Sequence, residues 1–379
     1  MTIRNVAFRL FARLSSVAFC VVGVVACSTV DRPKPSELGP INALISITQV
    51  WSTSLPAVTF PVDVKVNGGK VYLAASDGTV VALDGATGRD VWRLPLGVRV
   101  AAGVGTDGVN TAVVTQANEL IMVNGAKELW RQKINGMTLT SPVVAGERVF
   151  VLAADRTMYA FDGKTGRRLW QQQRSGDALV LAQAGILQPF EDTLLFGSSG
   201  RLIGVSPQNG QSLWDTSIAS SRGSNEVERL VDLVAGASRV ESSMCVRAYQ
   251  IAVGCVDLRK GTTTWTKPLR GFSGIDGNPT MVVATEANGQ LIALRRDNGD
   301  KLWTSDKLLH RKLSAPLLVG KTIVVGDETG AVYFFSRDTG ELTNRMVTNA
   351  GPISATPVVV GQTVVVVTQR GNVFGFRPE

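Results

Sequence analysis

The stretch DGTVVALDGATGRDVW, Asp77 to Trp92, returns further along the chain as DRTMYAFDGKTGRRLW, Asp155 to Trp170. In both copies an alternating apolar run reads as a strand, Asp-Gly-x-Thr-Gly as a turn, and the segment ending in Trp as a second strand. The turn chemistry is specific. Its aspartate accepts hydrogen bonds from the turn's own backbone, and its last glycine supplies positive φ. Two such copies call for a search for more. The tryptophans supply them, at Trp51, Trp92, Trp130, Trp170, Trp214, Trp265 and Trp303, with intervals of 41, 38, 40, 44, 51 and 38 residues. A further 41 residues lead to Asn344, which follows Asp338-Thr339-Gly340 as Trp92 follows Ala86-Thr87-Gly88. The chain therefore holds eight registers, one of them without its Trp.

Each register opens on Pro or Gly with small apolar residues (Ser141-Pro142-Val143-Val144, Thr356-Pro357-Val358-Val359). A β-branched run follows (70–75, 148–153, 322–326), then an alternating strand (79–84, 290–295, 331–336), then the Thr-Gly turn and the Trp strand. Four short strands in about 40 residues make one blade of a β-propeller. A lone blade leaves both faces uncovered, so blades must stack, and a ring leaves no end exposed. The last register stops after Gly371-Asn372-Val373-Phe374-Gly375-Phe376 with no Trp strand, while Trp51-Ser52-Thr53-Ser54-Leu55 is a Trp strand with no blade before it. The expected fold is all-β: an eight-bladed β-propeller of four-stranded antiparallel blades, closed by the N-terminal strand completing the last blade.

Composition agrees. With 379 residues, 44% hydrophobic, 39 glycines and only 6% aromatic residues, the chain suits many short strands joined by tight turns. Arg4, Arg9 and Arg13 precede an uncharged run from Leu14 to Ala26, ended by Val24-Val25-Ala26-Cys27. That is the pattern of a secretory signal, and the tetrapeptide resembles a bacterial lipobox. Residues 1–26 are read as a lipoprotein signal peptide, Cys27 as the lipidated residue, 27–47 as an extended tether bearing Pro33, Pro35 and Pro40, and 48–379 as the propeller. Several acyl chains on one residue anchor stably where one is marginal. Ser28, in place of Asp, points to the outer membrane, facing the periplasm. Losing the signal removes three arginines and no acids, so +8 becomes +5. The basic residues are dispersed with no aromatic interleaving, and no nucleic-acid partner is expected.

Of four cysteines, Cys20 leaves with the signal and Cys27 takes lipid. Cys245 and Cys255 flank what reads as two short strands around a turn, a spacing that suits a disulfide in an oxidising compartment; two separately buried thiols are the alternative. Two cysteines and one distant histidine do not close a zinc site. That histidine, His310, is the only one in the chain, which removes most triads and imidazole shuttles. Gly103-Val104-Gly105-Thr106-Asp107-Gly108 fits G-x-G-x-x-G, but a strand-like run follows where a nucleotide site needs a helix. Asp84, Asp162 and Asp338 recur because the repeat places them on equivalent turns. No catalytic residue, metal or cofactor is expected.

The wide intervals are more informative. Insertions at 177–189 (DALVLAQAGILQP) and 220–234 (SSRGSNEVERLVDLV) are not needed by the core, and extra loops on one face of a repeat array commonly bind partners. The first places Leu179 and Leu181 on alternate positions; the second is charged, with Arg222, Glu226, Glu228, Arg229 and Asp232.

With these features, the strings Gly223-Ser224-Asn225-Glu226-Val227-Glu228-Arg229-Leu230, Val256-Asp257-Leu258-Arg259-Lys260-Gly261, Ser305-Asp306-Lys307-Leu308-Leu309-His310-Arg311 and Val324-Val325-Gly326-Asp327 make the chain resemble the BamB family of outer-membrane protein assembly factors over nearly its whole length. The resemblance implies a non-catalytic lipoprotein of the BAM complex, docking on the periplasmic POTRA domains of BamA and assisting the folding and insertion of outer-membrane β-barrels. Other BAM lipoproteins and unfolded client barrels are implied as further partners. Family contacts to BamA match Leu179, Leu181 and Asp232 here, with Arg229 in the adjoining motif; Ala182 and Val234 stand where the family has an arginine and a second aspartate. The alternative is a quinone-dependent dehydrogenase, whose repeats are similar. Those enzymes need a calcium site, a catalytic Asp and usually an adjacent Cys-Cys pair, and Cys245 and Cys255 are not adjacent.

Overall fold

A computed structural model describes residues 33–39, 41, 43, 45–175, 179–220 and 230–378. The chain divides into Met1–Pro35 and Ser36–Glu379, and all of the regular structure described lies in the second unit. Of the first, 33–35 are exposed and irregular.

Runs of β-branched residues interrupted by Gly and Asp give short strands: thirty-two among the described residues, from β1 (Ile47–Ser54) to β32 (Asn372–Pro378). They form eight four-stranded sheets. Seven use consecutive strands. The eighth runs β1, β32, β31 (Thr363–Val367), β30 (Val358–Val360), so the first and last strands of the chain pair antiparallel, with Trp51 opposite Gly375 and Ser54 opposite Asn372. The expected closure is present.

Eight apolar clusters fill the joints, each drawing residues from two neighbouring blades, which is the arrangement of a closed ring. The closing joint packs Val365, Val367 and Val373 against Val71, Leu73, Val81 and Leu83 under Trp51. Second and third strands are buried along nearly their whole length, while fourth strands are largely exposed, as expected for the outer edge.

The Trp register locks these joints by one repeated contact. The indole N–H donates to a turn carbonyl of the next blade: Trp51 to Gly85 at 3.3 Å, Trp130 to Gly163 at 2.9 Å, Trp170 to Pro207 at 2.9 Å, Trp265 to Arg296 at 2.7 Å and Trp303 to Arg337 at 2.9 Å. A buried indole thus has its acceptor. The glycine ending the turn is required twice over. Gly88 and Gly340 sit at φ of 70°, and a Cβ on either would collide with the ring of Trp51 or Trp303. The missing tryptophan also has its reason. Blade 8 takes its fourth strand from the N-terminus and has no Thr-Gly turn to receive a ring; Asn344 instead donates from Nδ2 to the Ile45 carbonyl at 2.8 Å.

A second regularity was not visible in the repeat. Every fourth strand carries a register shift just before its Trp or Asn344, leaving Val50, Val91, Leu129, Leu169, Leu213, Thr264, Leu302 and Thr343 without a strand partner. Such bulges increase twist and discourage pairing with foreign strands.

Candidate functional site

Both wide connections join a fourth strand to the first strand of the next blade, on the face that also carries the turns between second and third strands. One runs from β13 (Arg168–Gln173) to β14 (Leu187–Phe190), the other from β17 (Ser212–Ser217) to β18 (Leu233–Val240). Between them lies the tight turn joining β15 (Thr193–Ser198) to β16 (Arg201–Val205). Its residues Ser199 and Gly200 are both at positive φ, the backbone of a two-residue hairpin. The Gly200 carbonyl accepts the N–H groups of Ile218 and Ala219, at 2.9 and 3.1 Å, and draws the second connection over blade 4.

Asp232 ties the two connections together. One carboxylate oxygen accepts the Leu181 N–H at 3.1 Å, the other the Ser199 N–H at 3.2 Å. The Ala235 N–H to Ala184 carbonyl bond at 2.8 Å and an antiparallel bridge between Gly185 and Val234 continue the seam, and Gly185 donates to Thr140 Oγ1 at 2.9 Å. The segment 179–181 forms no strand. It is an irregular rim in which Leu179 is 36% exposed and Leu181 half-buried. Leu181 and Asp232 share a cleft of about 60 Å³ with Leu139, Val180 and Arg156.

Asp232, Leu179 and Leu181 are therefore brought together, although 51 residues separate Leu181 from Asp232. Ala182 is exposed beside them. Val234 is buried at 3% on β18, opposite Arg247. Cys27 and Arg229 lie outside the described residues. Sequence reasoning missed Met137, 54% exposed, whose carbonyl accepts the Ala154 N–H next to the cleft, and Leu139 and Arg156 within it. The connection that holds Met137 and Leu139 lies in an interval of ordinary length, so no insertion flagged it.

Two buried ionic groups were also missed. Arg247 of β19 (Ser243–Ala248) is fully buried between blades 5 and 6, donating to the Thr285 carbonyl at 3.0 Å. Burial lowers its pKa to about 10, so it stays a cation, and burial raises the carboxyl of nearby Glu286 against the opposing pull of that cation. At the next joint Asp327, wholly buried, accepts the Tyr333 hydroxyl at 2.8 Å and pairs with Arg311 at 3.2 Å. Burial, and secondarily the Asp327 charge, pushes the Tyr333 phenol upward. This pair joins the SDKLLHR and VVGD strings, and Arg311 and Asp327 are thus structural. His310 occupies the turn at φ 63°.

Cys245 and Cys255 are register partners on β19 and β20 (Ala252–Asp257), with Cα atoms 3.9 Å apart, both sulfurs joined and both residues fully buried in the joint between blades 5 and 6. Protein isolated from an oxidising compartment is expected to resist thiol alkylation until unfolded and reduced; free thiols in unfolded, unreduced protein would contradict this. Among the described residues no three His, Cys, Asp or Glu side chains converge on a common point, and no helix is long and apolar enough to cross a membrane.

Comparison with known proteins follows the same lines. A family profile described as outer membrane protein assembly factor BamB matches residues 47–95 and 76–305. The outer membrane protein assembly factor BamB of Burkholderia pseudomallei is 33% identical over 379 residues, covering 99% of this chain and 100% of that protein. The chain belongs to the BamB family. The Bordetella pertussis BamB is 32% identical, covering 86% of each chain. In fold, the crystal structure of BamB from Moraxella catarrhalis superposes with a TM-score of 0.79 at 22% identity, over 88% of this chain and 100% of that one. A quinohemoprotein alcohol dehydrogenase from Comamonas testosteroni reaches 0.67 at 13% identity, over 87% of this chain and 76% of that one, a likeness of fold alone.

Proposed function

We propose that this BamB-family chain is a docking subunit of the outer-membrane β-barrel assembly machinery and performs no reaction itself. In this reading Cys27 carries the lipid anchor on the periplasmic face of the outer membrane, residues 27–47 lead from it, and the rim at Leu179 and Leu181 binds the POTRA domains of a BamA-like barrel subunit. Other lipoproteins of the complex and unfolded client barrels are further partners. The observation that carries the reading is the Asp232 clamp, because it turns an irregular loop into a held apolar rim. A rim fixed before binding loses less conformational freedom on association.

The clamp also favours for Asp232 a role other than direct contact. Both of its carboxylate oxygens serve backbone N–H groups of its own chain, so Asp232 is a positioning residue. With Ala182 and Val234 replacing charged positions of the family, the affinity here falls mainly to apolar burial, about 1.5–3 kcal/mol for each fully covered leucine. Asp232→Asn offers one carbonyl oxygen to two donors. It is expected to speed hydrogen exchange at the Leu181 amide and weaken partner binding by about tenfold, or ~1.4 kcal/mol, while the thermal transition shifts little. Unchanged exchange at Leu181 together with lost binding would mean direct contact. The broader reading is tested by purifying the tagged full chain from detergent extracts; recovery without any barrel subunit would remove it.

A further inference from the structure

We infer that the turn at 307–311 is a docking site for the chain's own N-terminal segment, and that the ring therefore begins at Ser36, eleven residues before its first strand. Three hydrogen bonds meet at one serine. Its N–H donates to the Leu309 carbonyl at 3.0 Å, its Oγ to the Lys307 carbonyl at 2.8 Å, and its own carbonyl accepts from the Arg311 guanidinium at 3.1 Å. The turn is shaped for this. His310 at φ 63° closes it, with its N–H bonded to the Asn288 carbonyl at 2.7 Å, and the carbonyls of Lys307 and Leu309 are left for an incoming donor.

Arg311 is held from the other side by Asp327, which has no exposure, so the guanidinium reaches Ser36 from a fixed position. Two residues on, Leu38, like Leu313 and Leu318, packs against the apolar cluster containing Leu308. Farther along, Ile45 gives its carbonyl to Asn344 and packs with Ile47 beside Val364, Phe374 and Phe376. The segment is thus tied at both ends before β1 starts. An extended piece of chain contributing backbone hydrogen bonds and one leucine anchor is the occupant that this surface fits.

The consequence concerns reach. From Cys27 to β1 there are twenty residues, able to span about 70 Å; from Cys27 to Ser36 there are nine, able to span about 30 Å. The 307–311 turn belongs to a connection between a fourth and a first strand, on the same face as the Leu179 rim. If Cys27 is the anchor, as the proposed function holds, docking at Ser36 more than halves the leash on that face.

The test is digestion at Glu37, an exposed glutamate between the two docked residues, by a glutamate-specific protease, using the full mature chain and its Cys27→Ser form. Cleavage at Glu37 requires the segment to leave the ring. The native chain is expected to be cut slowly, and Ser36→Pro and Leu38→Asp at least about tenfold faster, because cleavage follows the population of the open form. Equal rates in all three would overturn the proposal. Should a variant disturb the ring, seen as a lowered thermal transition, hydrogen exchange at the Ser36 amide of the unaltered chain decides alone: protection is expected, and exchange at the rate of a free peptide contradicts docking. Failure of the lipid reading is distinguishable, since it would show as membrane retention of Cys27→Ser with the digestion pattern unchanged.

Discussion

Trp51→Ala is expected to lower the stability of the ring by about 3–5 kcal/mol, the cost of emptying a large aromatic site in a packed core. Trp51 is 8% exposed, with its ring enclosed between Gly88 and Gly375. It belongs to β1, which pairs with β32 and so joins the first and last strands of the ring, and its loss weakens the seam on which closure rests. Native domains are stable by roughly 5–15 kcal/mol, and the change is large on that scale. Trp92→Ala is the control. The blade facing it has a shorter turn, Asn124-Gly125-Ala126, where a Cβ on Gly125 would meet open space, and Trp92 itself is only half-buried. A denaturant titration should separate the two variants clearly. Equal losses would mean that the tryptophans pack as independent core residues and that closure adds nothing.

Leu179→Asp is expected to cut recovery of the barrel subunit by tenfold or more while moving the thermal transition by no more than a surface substitution does. A carboxylate placed at the centre of an apolar contact loses its water without gaining a partner, and such unpaired burial costs several kcal/mol. In the free ring Leu179 is 36% exposed, so the same carboxylate stays hydrated and stability is barely touched, within about 0.5 kcal/mol. Leu181→Asp is a harsher and less clean change. Leu181 lines the cleft, and its amide is held by Asp232, so a second carboxylate there repels the first. Loss of folding with Leu179→Asp would make that leucine part of the core.

What could be read from the residues was whatever the repeat wrote more than once. The Trp intervals, the Asp-x-x-Thr-Gly turns and the stray Trp51 strand were enough for eight blades and their closure, because the first two are local rules the chain repeats and the third is the piece its last blade lacks. The bulges escaped. A Val, Leu or Thr beside the Trp reads as one more ordinary strand residue, and only pairing shows that it lacks a partner. Arg247 escaped for a related reason: a charged residue on a strand ordinarily marks the wet face, whereas here its β19 neighbour Cys245 and the adjoining blade seal it in. At the rim, the wide intervals located both insertions, yet what joins them is a carboxylate on backbone N–H groups, which leave no trace in residue identity. The leader shows the same limit. Ser36 is one serine among proline and charge until the 307–311 turn is brought to it.

The measurement that bears most directly on the central claim is photo-cross-linking in cells from a reactive residue placed at position 179, with a second placed at Val109, an exposed position on the opposite face in the turn between first and second strands of blade 2. Position 179 is predicted to yield an adduct with the periplasmic domains of the barrel subunit, and position 109 none. Adducts from 109 with silence at 179 would contradict the docking rim.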